Sequence, residues 1–258
     1  MLRIIDTHVH LDHPRLQGDI PGVIAEAKRA GVVRMINIGH DFASSRESVA
    51  LAKQHPEVWA VVGIHPHSAK DWRGDTLACL ENWLKEPRVV AIGEIGLDYH
   101  YDFSPRPVQQ EVFRKQLELA QKLKLPVVIH LREAAQETLN ILQEFSPLPR
   151  GGVMHCYSGS VELARELVDL GLYIGLGGPV TFTNARKVKE VAAVVPLERL
   201  LLETDCPYLA PHPHRGKTNQ PAWTALVAQE IAQIRGIKLE EVAKTTWQNA
   251  NRLFGLEE

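Results

Sequence analysis

Two histidines, His8 and His10, stand either side of one valine at the end of the chain's first apolar run. Successive side chains of a strand alternate between faces, so the two imidazoles share one side, a spacing that suits two ligands of a cation. Later apolar runs also end on acid or imidazole: VVAIG-Glu94, PVVI-His130, GGVM-His155 and RLLLET-Asp205. Four imidazoles and two carboxylates exceed the needs of one tetrahedral site, so His8, His10, Glu94, His130, His155 and Asp205 are expected to hold two divalent cations, with Glu94 between them. Water held between two cations ionises near neutral pH, which makes hydrolysis the expected chemistry. Histidine-rich ligation suits Zn²⁺ or Mn²⁺, whereas Mg²⁺ prefers oxygen, so the metal is open among Mg, Mn and Zn.

A single histidine at a strand end is most often a hydrogen-bonded core or loop residue; the six together point to a metal site, with Gly93 and Gly96 leaving room beside Glu94. His13, His40, His55, His100, His212 and His214 fall in loops or helix ends and read as solvated or locally bonded. His65, in Gly-Ile-His-Pro-His at another strand end, reads as a phosphate or substrate contact, with ligation or loop fixing as alternatives. Arg132 shares the parity of His130, and Arg215 lies in a Pro-His-Arg-Gly-Lys loop; both are candidates to hold phosphate oxygens, against a bland reading as surface salt bridges. Cys156 follows His155 and reads as a small packing residue rather than a nucleophile.

Eight β-branched runs carry these residues: Arg3–His8, Val32–Ile38, Val58–Ile64, Val89–Glu94, Val127–His130, Gly152–His155, Leu172–Gly175 and Leu200–Glu203. Helical periodicity occupies the segments between, near 20–30, 43–54, 75–85, 106–124, 134–145, 160–170, 184–195 and 221–235. A ninth helix around 239–253 is expected to close one end. The alternation predicts an α/β fold, a single (β/α)8 TIM-like barrel spanning 1–258 with an extra C-terminal helix. In such barrels the functional groups gather at the C-terminal ends of the strands, where the acids and imidazoles fall here.

The chain has 258 residues, a formal charge of −2 and 45% hydrophobic residues. No positive field would draw in a polyanion, which argues against a sequence-reading DNA-binding module; a nuclease whose cations supply charge locally remains open. Three cysteines without a CxxC suggest neither a disulfide framework nor a structural zinc site. No apolar segment reaches the length of a membrane span and no signal-peptide core follows Ile4 and Ile5, so the expectation is a cytoplasmic protein with no membrane and no obligatory protein partner.

The ordered motifs Asp-Thr-His8-Val-His10-Leu-Asp, Gly-Ile-His65-Pro-His67, Gly-Glu94-Ile-Gly-Leu-Asp98-Tyr, Ile-His130-Leu-Arg132, His155-Cys-Tyr-Ser-Gly, Glu203-Thr-Asp205-Cys-Pro-Tyr, Arg215-Gly-Lys-Thr-Asn-Gln-Pro and the terminal Asn251-Arg-Leu-Phe-Gly resemble the TatD-type metal-dependent hydrolases nearly end to end. The resemblance implies that His8, His10, Glu94 and Asp205 hold one metal and that Glu94, His130 and His155 hold the other. It also implies deoxyribonuclease activity, a 3′-5′ exonuclease removing nucleotides from DNA ends. Tyr157 stands where phenylalanine is commoner in that family, a change that bears on what packs against a base. Gly177-Gly178-Pro179 replaces the usual Ser-Gly stretch. On this reading DNA or another phosphodiester is the substrate, Glu94 and Asp205 are the catalytic carboxylates, and Asp205 orients the water and takes its proton. His65, Arg132 and Arg215 position phosphate oxygens. The same centre would serve an ester or amide hydrolase acting on a lactone, cyclic amide or aminoacyl-tRNA, and a barrel scaffold with a structural metal is the non-enzymatic alternative.

Overall fold

Residues 2–256 are described by a computed structural model. Valine- and isoleucine-rich runs buried on both faces form eight strands: β1 Ile4–Val9, β2 Val32–Ile38, β3 Val58–Val62, β4 Val89–Asp98, β5 Val127–Arg132, β6 Gly152–Met154, β7 Leu172–Leu176 and β8 Leu200–Leu202. All adjacent pairs are parallel and follow chain order. Between and after them run α1 Ile20–Arg29, α2 Phe42–Gln54, α3 Thr76–Trp83, α4 Arg106–Leu123, α5 Ala135–Glu144, α6 Val161–Asp169, α7 Arg186–Val194, α8 Thr224–Arg235 and α9 Leu239–Phe254. The result is the (β/α)8 barrel with an added helix that the alternation predicts.

Closure of β1 on β8 occurs at the rim rather than along the strands. Val9 bridges Cys206, the Asp205 N–H donates to the His8 carbonyl at 2.9 Å, and the His10 N–H donates to the Cys206 carbonyl at 3.0 Å. The seam therefore runs through the two histidines and the carboxylate expected to share a metal.

Strand side chains sort into two apolar layers. Ile5, Ile36, Ile38, Val61, Val128, Val153 and Leu201 meet inside the barrel, and Leu253, Phe254 and Leu256 from α9 and just beyond it plug the lower end of that interior. Ile4, Met35, Val62, Ile92, Ile129 and Leu202 face outward into the helix layer. Burying a side chain the size of Phe254 contributes about 1.5–3 kcal/mol, so the plug is a substantial part of the fold.

Most expected strand ends move by one or two residues, and that of β4 moves by four. The run expected to stop at Glu94 continues to Asp98, because the ladder to β5 resumes with Gly96 opposite His130 and Asp98 opposite Arg132 after a register shift between Ile92 and Ile95.

Candidate metal centre

Strict alternation would misplace the two leading residues. Ile5 faces the barrel interior, so a regular β1 would send His8 outward; a register irregularity between Asp6 and Val9 turns His8 and His10 inward together. The same device acts on β4. Ile92 faces the helices, two residues before Glu94, and the shift between Ile92 and Ile95 brings the carboxylate inside. Gly93 permits it, since a Cβ there would lie 2.7 Å from Cβ of Val128.

Glu94 then stands with one oxygen toward each histidine set. Its Oε1 is 2.7 Å from His155 Nε2, 3.0 Å from His130 Nδ1 and 3.5 Å from His65 Nε2, while Oε2 is 3.5 Å from His8 Nε2. Asp205 Oδ1 lies 3.4 Å from His10 Nε2 and 3.7 Å from His8 Nε2. Potential ligand atoms of His8, His10 and Glu94, of His8, His155 and Asp205, and of His65, Glu94 and His130 fall within 4.8 Å of one another in each group. All six expected residues are thus brought together, and the donor set fits divalent cations. Nε2 of His8 carries the strongest sign of that fit: it is buried, faces two carboxylates, and has no hydrogen-bond partner.

The outer hydrogen bonds fix which ring nitrogen offers a lone pair. His10 donates from Nδ1 to the Ile38 carbonyl at 3.1 Å, leaving Nε2 free toward Asp205. His130 donates from Nε2 to Asp98 Oδ2 at 3.0 Å, leaving Nδ1 toward Glu94. His65 is arranged the other way: its Nδ1 accepts from the His67 N–H at 3.1 Å, so the proton sits on Nε2 and His65 faces the centre as a donor. Burial pushes His65 down to about 3, so it donates as a neutral ring.

Charges in the cluster support one another. Burial alone would raise Glu94, but the charge of His155 and the hydrogen bonds from His155 and His130 outweigh it and hold the carboxyl well below the usual carboxylate range. Against the same burial penalty His155 is raised well above the ordinary histidine value by Glu94 and Glu203, His130 is raised by Asp98 and Glu94, and His10 by Asp205. Asp205 also stays ionised despite burial, through its bond to His10 and the charge of His155. Its side chain is 16% exposed against 6% for Glu94, so Asp205 is the carboxylate open to cleft water. Asp205 has φ +57, a conformation costing a non-glycine residue on the order of 1 kcal/mol, held by the seam bond to His8 and by Tyr208 N–H on its carbonyl at 2.9 Å.

Three acids behind these groups were not singled out as site residues from sequence. Asp98 accepts from both His67 and His130 on one oxygen, at 2.9 and 3.0 Å. Glu203 takes the Cys156 N–H at 2.6 Å and lies 3.7 Å from His155 Nδ1. Asp6 receives Thr204 Oγ1 at 2.6 Å and Thr224 Oγ1 at 2.8 Å, binding β1 to β8 and α8, and burial pushes it up to about 7. Each lies in a quoted motif, and the parity of Asp98 with Glu94 and of Glu203 with Asp205 was a usable signal.

The centre floors a cleft of about 1040 Å³ lined by His10, His65, His67, Tyr101, Arg132 and Tyr208 among others. Arg132 projects there with its guanidinium 4.7 Å from the Tyr101 ring. Arg215 does not line the cleft; it stacks on Phe182 at 3.9 Å. Burial pushes the Cys156 thiol up, with Asp205 and Glu203 adding to it, so it is no nucleophile. Tyr157 is buried and donates to the Ser160 carbonyl at 2.6 Å, so it tightens a turn rather than meeting a base.

A barrel that gathers four histidines and two carboxylates at the C-terminal rim of its strands, around a carboxylate shared between histidine sets, is that of a metal-dependent hydrolase. The family model described as TatD related DNase matches residues 5–255, and the chain belongs to that family. YabD of Bacillus subtilis, an uncharacterized metal-dependent hydrolase, is 43% identical over 251 residues, 97% of this chain and 98% of its own. The 3′-5′ ssDNA/RNA exonuclease TatD of Erwinia tasmaniensis is 36% identical over 259 residues, 98% of this chain and 100% of its own. The crystal structure of YJJV, a TatD homolog from Escherichia coli K12, has a TM-score of 0.94 at 34% identity, with 99% of each chain covered. Among the described residues no helix is long and apolar enough to cross a membrane.

Proposed function

We propose that this hydrolase removes nucleotides from the 3′ end of single-stranded DNA, with RNA as a related substrate. The observation that carries the reading is the rim above Glu94. Tyr101 is 47% exposed and stacks on Phe103 at 5.2 Å, beneath Arg132. Tyr208, 46% exposed, rises from the loop after β8, four strands away and so across an eight-stranded barrel from the loop after β4. Exposed aromatic faces on opposite walls suit stacked bases, and the guanidinium suits a phosphate, whereas a lactone or cyclic amide needs neither. The name of the Erwinia relative points the same way.

Bound divalent cations would supply Lewis acidity to the phosphoryl group and acidify water at neutral pH. His8, His10, Glu94 and Asp205 would hold one, and Glu94, His130 and His155 the other. Asp205 orients the attacking water and accepts its proton; the water oxygen bonds to phosphorus while the P–O bond to the neighbouring sugar breaks, and the departing oxygen takes a proton from cleft water. His65 Nε2–H and Arg132 donate to phosphate oxygens. Arg215, stacked on Phe182, is left as a rim charge that steers rather than positions. Preference for an end is supported by a braced wall: the Asn219 amide donates to the carbonyls of Thr204 and Tyr208 at 2.9 and 2.6 Å, and His212 N–H to Thr181 Oγ1 at 2.8 Å.

The test uses single-stranded DNA labelled at either end, with protein stripped of metal and reloaded with Mg²⁺, Mn²⁺ or Zn²⁺. Stepwise loss of the 3′ label is expected, abolished in Glu94→Gln and Asp205→Asn. Full activity in both variants refutes the assignment, and turnover of esters or amides without phosphodiesters replaces the substrate class.

A further inference from the structure

A second cavity, of about 520 Å³, opens beside the metal cleft and shares Asp41 and Ala43 with it. Its floor is Ile64, 3% exposed, and its walls include the half-buried rings of Phe42 and Trp72, which pack on the small cluster of Ile64, Ala69 and Val112. Lys70 and Arg73 stand at its edge. One 3-10 helix, Pro66–Asp71, joins the two places: His65 caps its start at the metal centre, and Lys70 and Asp71 end it at the cavity. Lys70 forms no ion pair among the described residues, while Arg73 pairs with Asp75 at 3.6 Å with its guanidinium 4.7 Å from the Phe42 ring, and Lys115 Nζ lies 5.6 Å from the Trp72 ring. Asp41 is already engaged, capping α2 through Ser44 N–H at 2.8 Å.

Two aromatic rings over an apolar floor, with an unpaired ammonium at the edge, form a place for a flat heteroaromatic group carrying a nearby phosphate. Continuity with the cleft decides which molecule brings it. We infer that this cavity is a second nucleotide subsite, receiving one base of the substrate strand away from the scissile bond, against Trp72 and Phe42, with Lys70 on its phosphate. The inference rests on the phosphodiester reading above and extends it from a single bond to a strand several nucleotides long. It gives the enzyme a reason to act on oligonucleotides better than on dinucleotides, since the added affinity comes from outside the metal centre.

The experiment is an abasic scan. KM is measured for a set of metal-loaded reactions on single-stranded DNA in which one nucleobase at a time, counted from the 3′ end, is replaced by an abasic unit. One position outside the scissile pair is expected to raise KM by roughly 5- to 150-fold, the range base–aromatic stacking spans. In Trp72→Ala that position-specific penalty disappears, and Trp72→Phe restores it. Should Trp72→Ala fail to fold, Trp72→Leu serves with the same expectation, and Lys70→Glu is expected to raise KM only for strands long enough to reach the cavity. A penalty that is the same at every position, one that persists unchanged in the Trp72 variant that folds, or a KM rise in Lys70→Glu that is independent of strand length overturns the subsite and leaves the phosphodiester reading standing. Failure to cut any base-bearing strand with any of the three metals overturns both.

Discussion

Replacing Asp98 by asparagine keeps the shape of a fully buried side chain and removes one acceptor. The carboxylate takes four donors: His67 and His130 Nε2 on Oδ2 at 2.9 and 3.0 Å, and the backbone N–H groups of His100 and Tyr101 on Oδ1 at 3.0 and 2.9 Å. An asparagine that keeps its oxygen on the two backbone donors turns its NH₂ toward two ring N–H groups. His130 escapes that conflict only by moving its proton to Nδ1, which faces Glu94 Oε1 at 3.0 Å, and so loses the lone pair it would offer a cation. Outer partners of metal-bound histidines are worth roughly 10- to 100-fold in affinity, or about 1.4–2.7 kcal/mol. Calorimetric titration of the metal-stripped protein, checked against a competing chelator, should show one of two sites weakened by that factor and the His8–His10–Asp205 site unchanged. Equal weakening of both sites, or of neither, would refute the reasoning.

Two further outcomes follow from the same structure. Phe254→Ala, which empties the plug beneath Ile5 and Leu201, is expected to cost about 3–5 kcal/mol in urea unfolding while leaving the rim distances intact; a loss below about 1 kcal/mol would contradict the packing. Metal binding near pH 7 should release protons, because His10, His130 and His155 are held protonated above the ordinary value by Asp205, Asp98, Glu94 and Glu203 although burial opposes it. The sign is fixed by linkage: raised histidines stabilise the metal-free protein fully below their unfolded value of 6.5 and that contribution fades as pH rises through the raised values, while metal affinity climbs over the same window. Calorimetry in buffers of different ionisation heat reads the released protons, and a count of zero would sink this account.

The order of apolar runs made the barrel legible, since eight β-branched segments separated by helical stripes leave few other ways to bury both faces of a sheet. The convergence of six acid and imidazole residues was legible too, because such groups at a run's end have no apolar reason to be there. The two register shifts were not. Nothing in Ile5 through His10 announces that alternation breaks, as the break depends on pairing with β2. Asp98 was hidden by the premise that β4 ends at Glu94, and Arg215 was drawn to the centre by its type, although the loop that carries it turns the side chain onto Phe182.

Those shifts set a limit on any effort to idealise this protein. A designer who rebuilt β1 and β4 with unbroken alternation at their present lengths would obtain straighter strands with unbroken hydrogen-bond ladders, a pattern associated with high stability. His8 and Glu94 would then point into the layer of Ile4 and Ile92, unpartnered polar groups among the packed helices, and the rim would lose its shared carboxylate. Regularity and function are opposed at two positions in this sheet, so a search for hyperstable variants should hold both bulges constant and spend its changes on the outer helices.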